Sequence, residues 1–420
     1  MELTQKTVSK KKIIGLIAYL GIIFIFEIVL RNPLFNLSLS FEKNYYDNIA
    51  SESQINFFKC ITNFGTQGAI VPLFFIVFFL FPLSKSYTFL NILILASYFD
   101  NLLKIIYGSP RPFWKIPEMF RECDGGYGNP SGHSFSSFSV YLSFWNISTD
   151  FDFFKKSIIG YTCKIVLLFL YIFLCIMIVI SRLALSVHSL NQIIFGSLLG
   201  IALYFYFFHI LQLDQYKGNE LNHYITDKNN NKHHLIKFGV YFLFLLLAYW
   251  FRENNEKDYI NVIEELCPHL RKYRLFNNDA FFIGLVLFFL IGAHCGLYFL
   301  FNICKVQYPT KEDALNDWYI CTPKTFFYKL ILFIPFNICM VMTVIMKNES
   351  NLFVFYVIGV ILPYFFQGGL QFGGFILLCI RLKLSNESLY KENIPISIKG
   401  DVEHLDNKDA HHLEISVNTK

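Results

Sequence analysis

Long apolar runs separated by short polar segments dominate the chain. Most of the runs approach the length of about twenty residues that a helix needs to cross a bilayer. They lie near residues 13–31, 68–84, 87–106, 133–147, 163–181, 188–209, 234–251, 279–303, 326–346 and 351–382. The run at 133–147 is shorter than the others and contains several serines. The pattern predicts an all-α, polytopic membrane helix bundle with about ten spans.

The composition agrees with a membrane protein. Hydrophobic residues make up 54% of the chain and charged residues only 16%, which is unlike a soluble domain of this length. The net charge of +5 is small for 420 residues and is spread over the loops. We therefore expect the lipid bilayer as a partner and no nucleic acid.

The distribution of lysines predicts the orientation of the helices. Lys10, Lys11 and Lys12 precede the first run, which places that end in the cytoplasm by the positive-inside rule. Alternation of the spans then puts the loops at 107–132 and 182–187 on the same, non-cytoplasmic side. We expect an integral, multi-pass protein of the endoplasmic reticulum or another endomembrane, or alternatively of the plasma membrane.

Three polar stretches lie at the ends of apolar runs, and the predicted topology brings all of them to one membrane face. They are residues 104–112 (KIIYGSPRP), 130–134 (PSGHS) and 181–192 (SRLALSVHSLNQ). Alone, each has an ordinary explanation, since cations often anchor helix ends and Pro-Ser-Gly is a common turn. Their joint occurrence, in order and on one face, points instead to a single site.

The residue types in these stretches suit phosphoryl transfer. Such a site needs positive charge around the phosphoryl oxygens, a nucleophile and an acid for the leaving group. Lys104, Arg111 and Arg182 supply the charge. Ser131 can cap a helix while Gly132 lets an anion approach the backbone.

The two histidines of these stretches provide the remaining groups. His133 is positioned to protonate the leaving oxygen, and we assign His188 as a nucleophile that forms a phosphohistidine. Because side chains supply the cations, the scheme uses no metal and no other cofactor.

These stretches carry the resemblance of the chain to a known family. Lys-x6-Arg-Pro, Pro-Ser-Gly-His and Ser-Arg-x5-His are similar to the signatures of the type 2 phosphatidic acid phosphatase and vanadium haloperoxidase superfamily. The resemblance covers roughly residues 60–210 and implies a six-helix core, with about four extra C-terminal transmembrane helices here. It also implies His188 as nucleophile, His133 as acid, and phosphate binding without metal by Lys104, Arg111, Ser131, Gly132 and Arg182.

The resemblance also suggests a division of the chain. Residues 1–59 would hold a cytoplasmic stub, the first transmembrane helix and a loop on the far side, and 60–210 would form the phosphatase core. Residues 211–382 would add transmembrane helices of unknown role, and 383–420 would be a disordered cytoplasmic tail.

Gln192 departs from the family pattern, which has aspartate at this position to orient the nucleophilic imidazole. The enzyme could be active but differently tuned, another acidic residue could substitute, or the site could be impaired. The surrounding string resembles glucose-6-phosphatase catalytic subunits, which also carry Gln there. Asp100 is a second supporting residue, as a partner of Lys104 or as a helix–helix hydrogen-bonding group.

The leading functional hypothesis is a phosphomonoester hydrolase acting at the non-cytoplasmic face. A lipid phosphate such as phosphatidic acid or sphingosine-1-phosphate is favoured slightly over a sugar phosphate. A phosphotransferase and a non-catalytic relic remain alternatives, and a haloperoxidase ranks last. The oligomeric state is left open. A disulfide among Cys60, Cys123 and Cys267 can form if that face is oxidising, but the sequence does not specify the pairing.

Overall fold

The computed structural model describes residues 10–216, 218–252, 259–267, 276–307, 323–337, 355–382 and 391–392. These residues form helices almost throughout, which confirms the prediction of an all-α bundle. The described strands are the two-residue segments Val306–Gln307 and Lys391–Glu392, which pair in antiparallel fashion. Residues 1–9 of the predicted cytoplasmic stub lie outside the described residues, as does the predicted tail from 383 apart from 391–392.

The described α-helices follow one another with short connections. In chain order they are α1 (Lys10–Asn48), α2 (Glu52–Thr62), α3 (Gln67–Leu80), α4 (Leu83–Tyr107), α5 (Pro112–Lys115), α6 (Gly132–Ser148), α7 (Asp152–Lys156), α8 (Ile158–Ala184), α9 (Leu190–Phe205), α10 (Gly218–Thr226), α11 (Lys228–Phe251), α12 (Ile260–Leu266), α13 (Phe276–Gly284), α14 (Leu287–Tyr298), α15 (Pro323–Phe333), α16 (Leu362–Gly369) and α17 (Ile376–Arg381). Wider π-helical turns extend α9 over Tyr206–Leu211 and α14 over Phe299–Ile303, and others flank α16 at Phe355–Ile361 and Leu370–Phe375.

Eight helical segments of the described chain are long and apolar enough to cross a membrane, so the protein is a multi-pass membrane protein. They are Lys10–Asn48, Glu52–Leu80, Leu83–Lys115, Ile158–Ala184, Leu190–Leu211, Lys228–Phe251, Asn278–Ile303 and Tyr356–Arg381. The serine-rich run at 133–147 also forms a helix, α6. The run predicted at 326–346 is helical over Phe326–Asn337, and its remainder lies outside the described residues.

The first helix is longer than the sequence predicts. The apolar run indicates an end near Arg31, yet α1 passes through Pro33 and continues to Asn48. Proline removes one hydrogen bond from a helix interior, so the extension needs support from elsewhere. The hydroxyl of Ser38 accepts a hydrogen bond from the backbone N–H of Leu190 over 3.0 Å. This hydrogen bond helps to hold the extended part of α1 against α9.

The centre of the bundle is α4, which packs against α6 and α9 and also against α11, α13 and α14 of the C-terminal half. Among the described helices, α6 and α9 make the most extensive contact with each other. In addition, α1 packs against α9, and α8 packs against α6. Gly196 of α9 makes the close approach of α6 and α9 possible. A Cβ atom there would lie 2.6 Å from the carbonyl oxygen of Ser131, so any larger residue would force the helices apart.

All three signature stretches meet at one end of the bundle, which we call the site end. There α4 and α8 finish while α6 and α9 begin. A small apolar cluster covers this end, and its buried members are Phe113, Trp114, Tyr127, Leu185, Val187 and Ile263. A disulfide between Cys123 and Cys267 joins two connecting segments here, while Cys60 is free and exposed. The structure thus specifies the pairing that the sequence leaves open.

Candidate active site

The guanidinium of Arg111 is the most fully held cation of the site. Its side chain is 1% exposed. It donates to the carbonyl oxygens of Gly126 (from Nε, 2.9 Å), Gly125 (from Nη2, 2.9 Å) and Val187 (from Nη1, 2.9 Å). Its Nη1 also lies 3.0 Å from Nε2 of His188. Backbone carbonyls therefore fix this cation directly beside the histidine.

Arg182, at the end of α8, brings a second buried guanidinium to the same place. Its Nη1 donates to the hydroxyl of Thr62 over 2.6 Å, and its Nη2 pairs with the carboxylate of Asp124. Its Nε is buried and has no hydrogen-bond partner among the described residues. A buried unpaired donor is costly, so this N–H is suited to an acceptor that a ligand supplies.

The ring of His188 is held in a defined orientation. Its Nδ1 lies 2.8 Å from the carbonyl oxygen of Gly128 and 3.2 Å from Oε1 of Gln192. Both partners are acceptors, so Nδ1 carries the proton and Nε2 keeps its lone pair. Burial lowers the pKa of His188, and the charges of Arg111 and Arg182 lower it further. The imidazole is thus neutral, and the lone pair of its Nε2 faces the guanidinium of Arg111.

Gln192 links all three signature stretches. Its Nε2 donates to the carbonyl oxygen of Pro110 over 2.9 Å, and its Oε1 accepts from the backbone N–H of Ser189 over 3.2 Å. Its own carbonyl oxygen accepts from the N–H of Ser131 over 3.0 Å. An aspartate could not donate to Pro110, so the departure from the family pattern is matched by a contact that only an amide makes.

The Pro-Ser-Gly-His stretch starts α6 as the sequence indicates. Ser131 is the N-cap, and its hydroxyl accepts from the backbone N–H of Ser134. A Cβ atom on Gly132 would lie 2.7 Å from the carboxylate of Asp100, so glycine is needed for this close approach. His133 is half-buried in the first turn, and its ring packs close to Gly65. The positive end of α6 therefore faces the site.

Lys104 is held by an acidic residue of its own helix. Its Nζ lies 2.9 Å from Oδ2 of Asp100, one turn earlier in α4. Of the two interpretations that the sequence leaves open for Asp100, the structure contains the pairing with Lys104. The other carboxylate oxygen of Asp100 is buried without a hydrogen-bond partner among described residues. Lys104 thus belongs to the wall of the site next to Gly132, separate from the contacts that join Arg111 and Arg182.

Asp124 and Glu27 contribute contacts that the sequence analysis does not identify. The Asp124 carboxylate lies between Arg111 (3.0 Å to Nη1) and Arg182. Burial acts to raise the pKa of Asp124, but the charges of Arg111 and Arg182 outweigh burial, so the pKa lies well below its usual range. The only signal in the sequence is an acidic residue at the start of the glycine-rich segment 124–128.

Glu27 of α1 binds two asparagines that belong to the region of the site. Its Oε1 accepts from the side-chain amides of Asn129 (2.7 Å) and Asn191 (3.3 Å). Asn129 directly precedes the second stretch, and Asn191 lies within the third. A carboxylate inside an apolar run is costly unless paired, and this cost is the signal that could have identified Glu27. Within the described parts of the chain, no three His, Cys, Asp or Glu side chains are grouped to hold a metal ion.

Part of the chain is similar to a known protein family. The model of the PAP2 superfamily matches residues 86–216, a segment that contains all three signature stretches. The segment runs from the first turn of α4 to just beyond α9 and its π-helical extension. No curated protein and no solved structure matches the chain.

Proposed function

We propose that the protein is an integral-membrane phosphomonoester hydrolase, because residues 86–216 match the model of the PAP2 superfamily, whose members are phosphatases. The observation that carries the proposal is the arrangement at His188. Its Nδ1 is bonded to carbonyl oxygens and its Nε2 lies 3.0 Å from a buried guanidinium nitrogen. Such a histidine can attack a phosphorus atom whose oxygens the guanidinium groups hold.

The proposed reaction has two steps. In the first, Nε2 of His188 forms a bond to phosphorus while the bond from phosphorus to the leaving oxygen breaks, and His133 gives that oxygen a proton. In the second, water attacks the phosphohistidine, His133 takes the proton of the water, and the bond from phosphorus to nitrogen breaks. The histidine and the acid are thereby regenerated.

The cations and the helix terminus stabilise the charge that develops on the phosphoryl oxygens. Arg111 and Arg182 are buried beside His188, where their charges act with little screening. Ser131 is the N-cap of α6 and Gly132 its first residue, so free backbone N–H groups at this N-terminus can donate hydrogen bonds to a further phosphoryl oxygen. Lys104, oriented by Asp100, would contribute a point charge from α4. The scheme draws its positive charge from the protein alone and needs no metal.

The substrate that we favour is a lipid phosphate such as phosphatidic acid or sphingosine-1-phosphate. Its support is the position of the site at the ends of apolar spans, close to where a lipid headgroup lies. The alternative is a sugar phosphate, as in glucose-6-phosphatases. The amide at Gln192 and the helices beyond residue 211 favour that alternative.

We propose that the site faces the lumen of the endoplasmic reticulum or a similar compartment. The disulfide between Cys123 and Cys267 lies at the site end, and disulfides persist in oxidising compartments. This agrees with the orientation that Lys10, Lys11 and Lys12, before the first apolar run, predict.

The test is phosphate release by the detergent-purified protein in the presence of EDTA. Phosphatidic acid, sphingosine-1-phosphate and glucose-6-phosphate are offered side by side, and orthovanadate is added as a phosphoryl mimic. We expect release that vanadate blocks and that His188→Ala abolishes. His209→Ala is the matched control and should retain activity, because His209 lies in the π-helical turn that extends α9 at the end away from the site.

Each result bears on a different part of the proposal. The preferred substrate decides between the lipid and the sugar class. Loss of activity in EDTA would rule out the metal-free scheme. No release from any substrate would favour a phosphotransferase or a non-catalytic membrane protein.

A further inference from the structure

We infer that the carboxylate of Asp124 occupies the phosphate-binding position of the free enzyme and must be displaced by the phosphate of the substrate. The inference rests on the proposed function, because it assumes that Arg111 and Arg182 bind a phosphoryl group. It adds a residue that sets how tightly the site holds that group.

The contacts of Asp124 are those expected of a phosphate oxygen. One carboxylate oxygen, Oδ2, contacts Nη1 of Arg111 over 3.0 Å and also pairs with Nη2 of Arg182. The same oxygen lies 4.0 Å from Nε2 of His188. A phosphoryl group that reacts with this nitrogen needs its oxygens on both guanidinium groups and its phosphorus close to Nε2. The carboxylate and the phosphate therefore compete for one place.

Asp124 approaches from the more open side of the site. Its side chain is 24% exposed, whereas those of Arg111 and Arg182 are 1% and 2% exposed. It can therefore move outward without opening the protein core. The arginines cannot follow it, because the carbonyls of Gly125, Gly126 and Val187 hold Arg111 and the hydroxyl of Thr62 holds Arg182. Displacement thus moves one side chain and leaves the receiving cations fixed.

The free protein has a reason to keep this carboxylate. Asp124 is the anion that contacts both buried guanidinium groups, whereas Glu122 lies 3.9 Å from Nη1 of Arg182. Without Asp124, the two like charges would repel each other strongly at low dielectric. Asp124 relieves this repulsion when no substrate is present. Its presence weakens phosphate binding by the strength of the contacts that phosphate must replace.

Removal of the charge provides the test. Asp124→Asn keeps the size of the side chain but no longer pairs as an anion. We expect the dissociation constant of orthophosphate, measured by calorimetry on the full-length protein, to fall about 10- to 100-fold, as for the loss of a competing charged hydrogen bond. The melting temperature of the unliganded variant should fall, and phosphate should raise it more than it raises that of the wild type.

The matched control is Glu118→Gln, which removes the same charge from an exposed position in the same connection between α5 and α6. Its phosphate affinity should stay within about twofold of the wild type. If Asp124→Asn does not fold, hydrogen exchange of the wild type replaces it. Phosphate should then increase exchange in residues 121–127, because Asp124 is released, and unchanged exchange there would overturn the inference.

Failure of this inference differs from failure of the proposed function. If the wild type hydrolyses a substrate and Asp124→Asn binds phosphate no more tightly, the inference is wrong and the function stands. If neither protein binds phosphate and the wild type releases none from any substrate, the function itself is wrong.

Discussion

Gln192 donates a hydrogen bond from its side-chain amide to the backbone carbonyl of Pro110, across 82 residues of sequence. The same amide group offers its oxygen to His188 and Ser189. One side chain thus sets the distance between the loop that carries Arg111 and the ring of His188. A carboxylate has no proton to donate to a carbonyl, so the two sides of this bridge require an amide.

The amide of Gln192 should therefore outperform a carboxylate at this position. Gln192→Glu keeps the size and the acceptor but turns an oxygen toward the Pro110 carbonyl. We expect kcat/KM to fall about 10- to 100-fold, because a buried hydrogen bond is replaced by two opposed acceptors. Gln192→Asp should not improve activity either. Gln67→Glu, at the exposed start of α3, is the control. A Gln192→Glu enzyme at least as active as wild type would mean that negative charge beside His188 matters more than the bridge.

Glu27 should help to position the second and third signature stretches although it lies in the first helix. Replacement by leucine leaves the amides of Asn129 and Asn191 without their shared acceptor, at a cost of about 1–3 kcal/mol for each unpaired group. We expect a lower melting temperature and reduced kcat in Glu27→Leu, with Glu27→Gln milder because it keeps one acceptor oxygen. Ile28→Ala, with a side chain 72% exposed, provides the control. Unchanged kcat in Glu27→Leu would show that α1 does not position these stretches.

The disulfide should stabilise the site end. Cys123 and Cys267 are separated by 144 residues, so the bond restricts a long loop of the unfolded chain. We expect Cys123→Ser to lower the free energy of unfolding by about 2–5 kcal/mol. Cys267→Ser should cost the same, and the double variant no more than either, because each removes the same bond. Cys60→Ser should have no effect. Additive losses in the double variant would contradict the pairing.

The loss of activity at acid pH should occur below the pH at which an ordinary histidine is protonated. Burial and the charges of Arg111 and Arg182 lower the pKa of His188, and only its neutral form is a nucleophile. Activity should thus persist as the pH falls through about 6.5, the usual pKa of a histidine. The measurement is kcat/KM against pH, corrected for the separately titrated substrate.

The charge of Asp124 should influence the same acid limb of the pH profile. Asp124 raises the pKa of His188, opposing the two arginines. Asp124→Asn should therefore move the limb to still lower pH, whereas Glu118→Gln should leave it in place. A limb at or above the ordinary histidine range in the wild type would mean that His188 is not held neutral by its surroundings.

The sequence alone determined the helices of the bundle and the meeting of the signature stretches. Most apolar runs are long enough to cross a bilayer, and as helices they satisfy their own backbone hydrogen bonds, so the existence of these helices follows from local sequence. The alternation of spans then requires Lys104, Arg111, His133, Arg182 and His188 to lie at one end. All are found at the site end.

Only the tertiary structure decided which side chains occupy the space between those residues. Asp124 reaches Arg182 across 58 residues, and Glu27 reaches Asn129 across 102. The extension of α1 beyond Pro33 and the choice of Cys267 as the partner of Cys123 are equally non-local. Periodicity and helix length reflect how a segment satisfies its own backbone hydrogen bonds and how its side chains suit the surrounding lipid or water. They carry no information on which distant carboxylate neutralises a buried guanidinium, because that depends on how the helices pack.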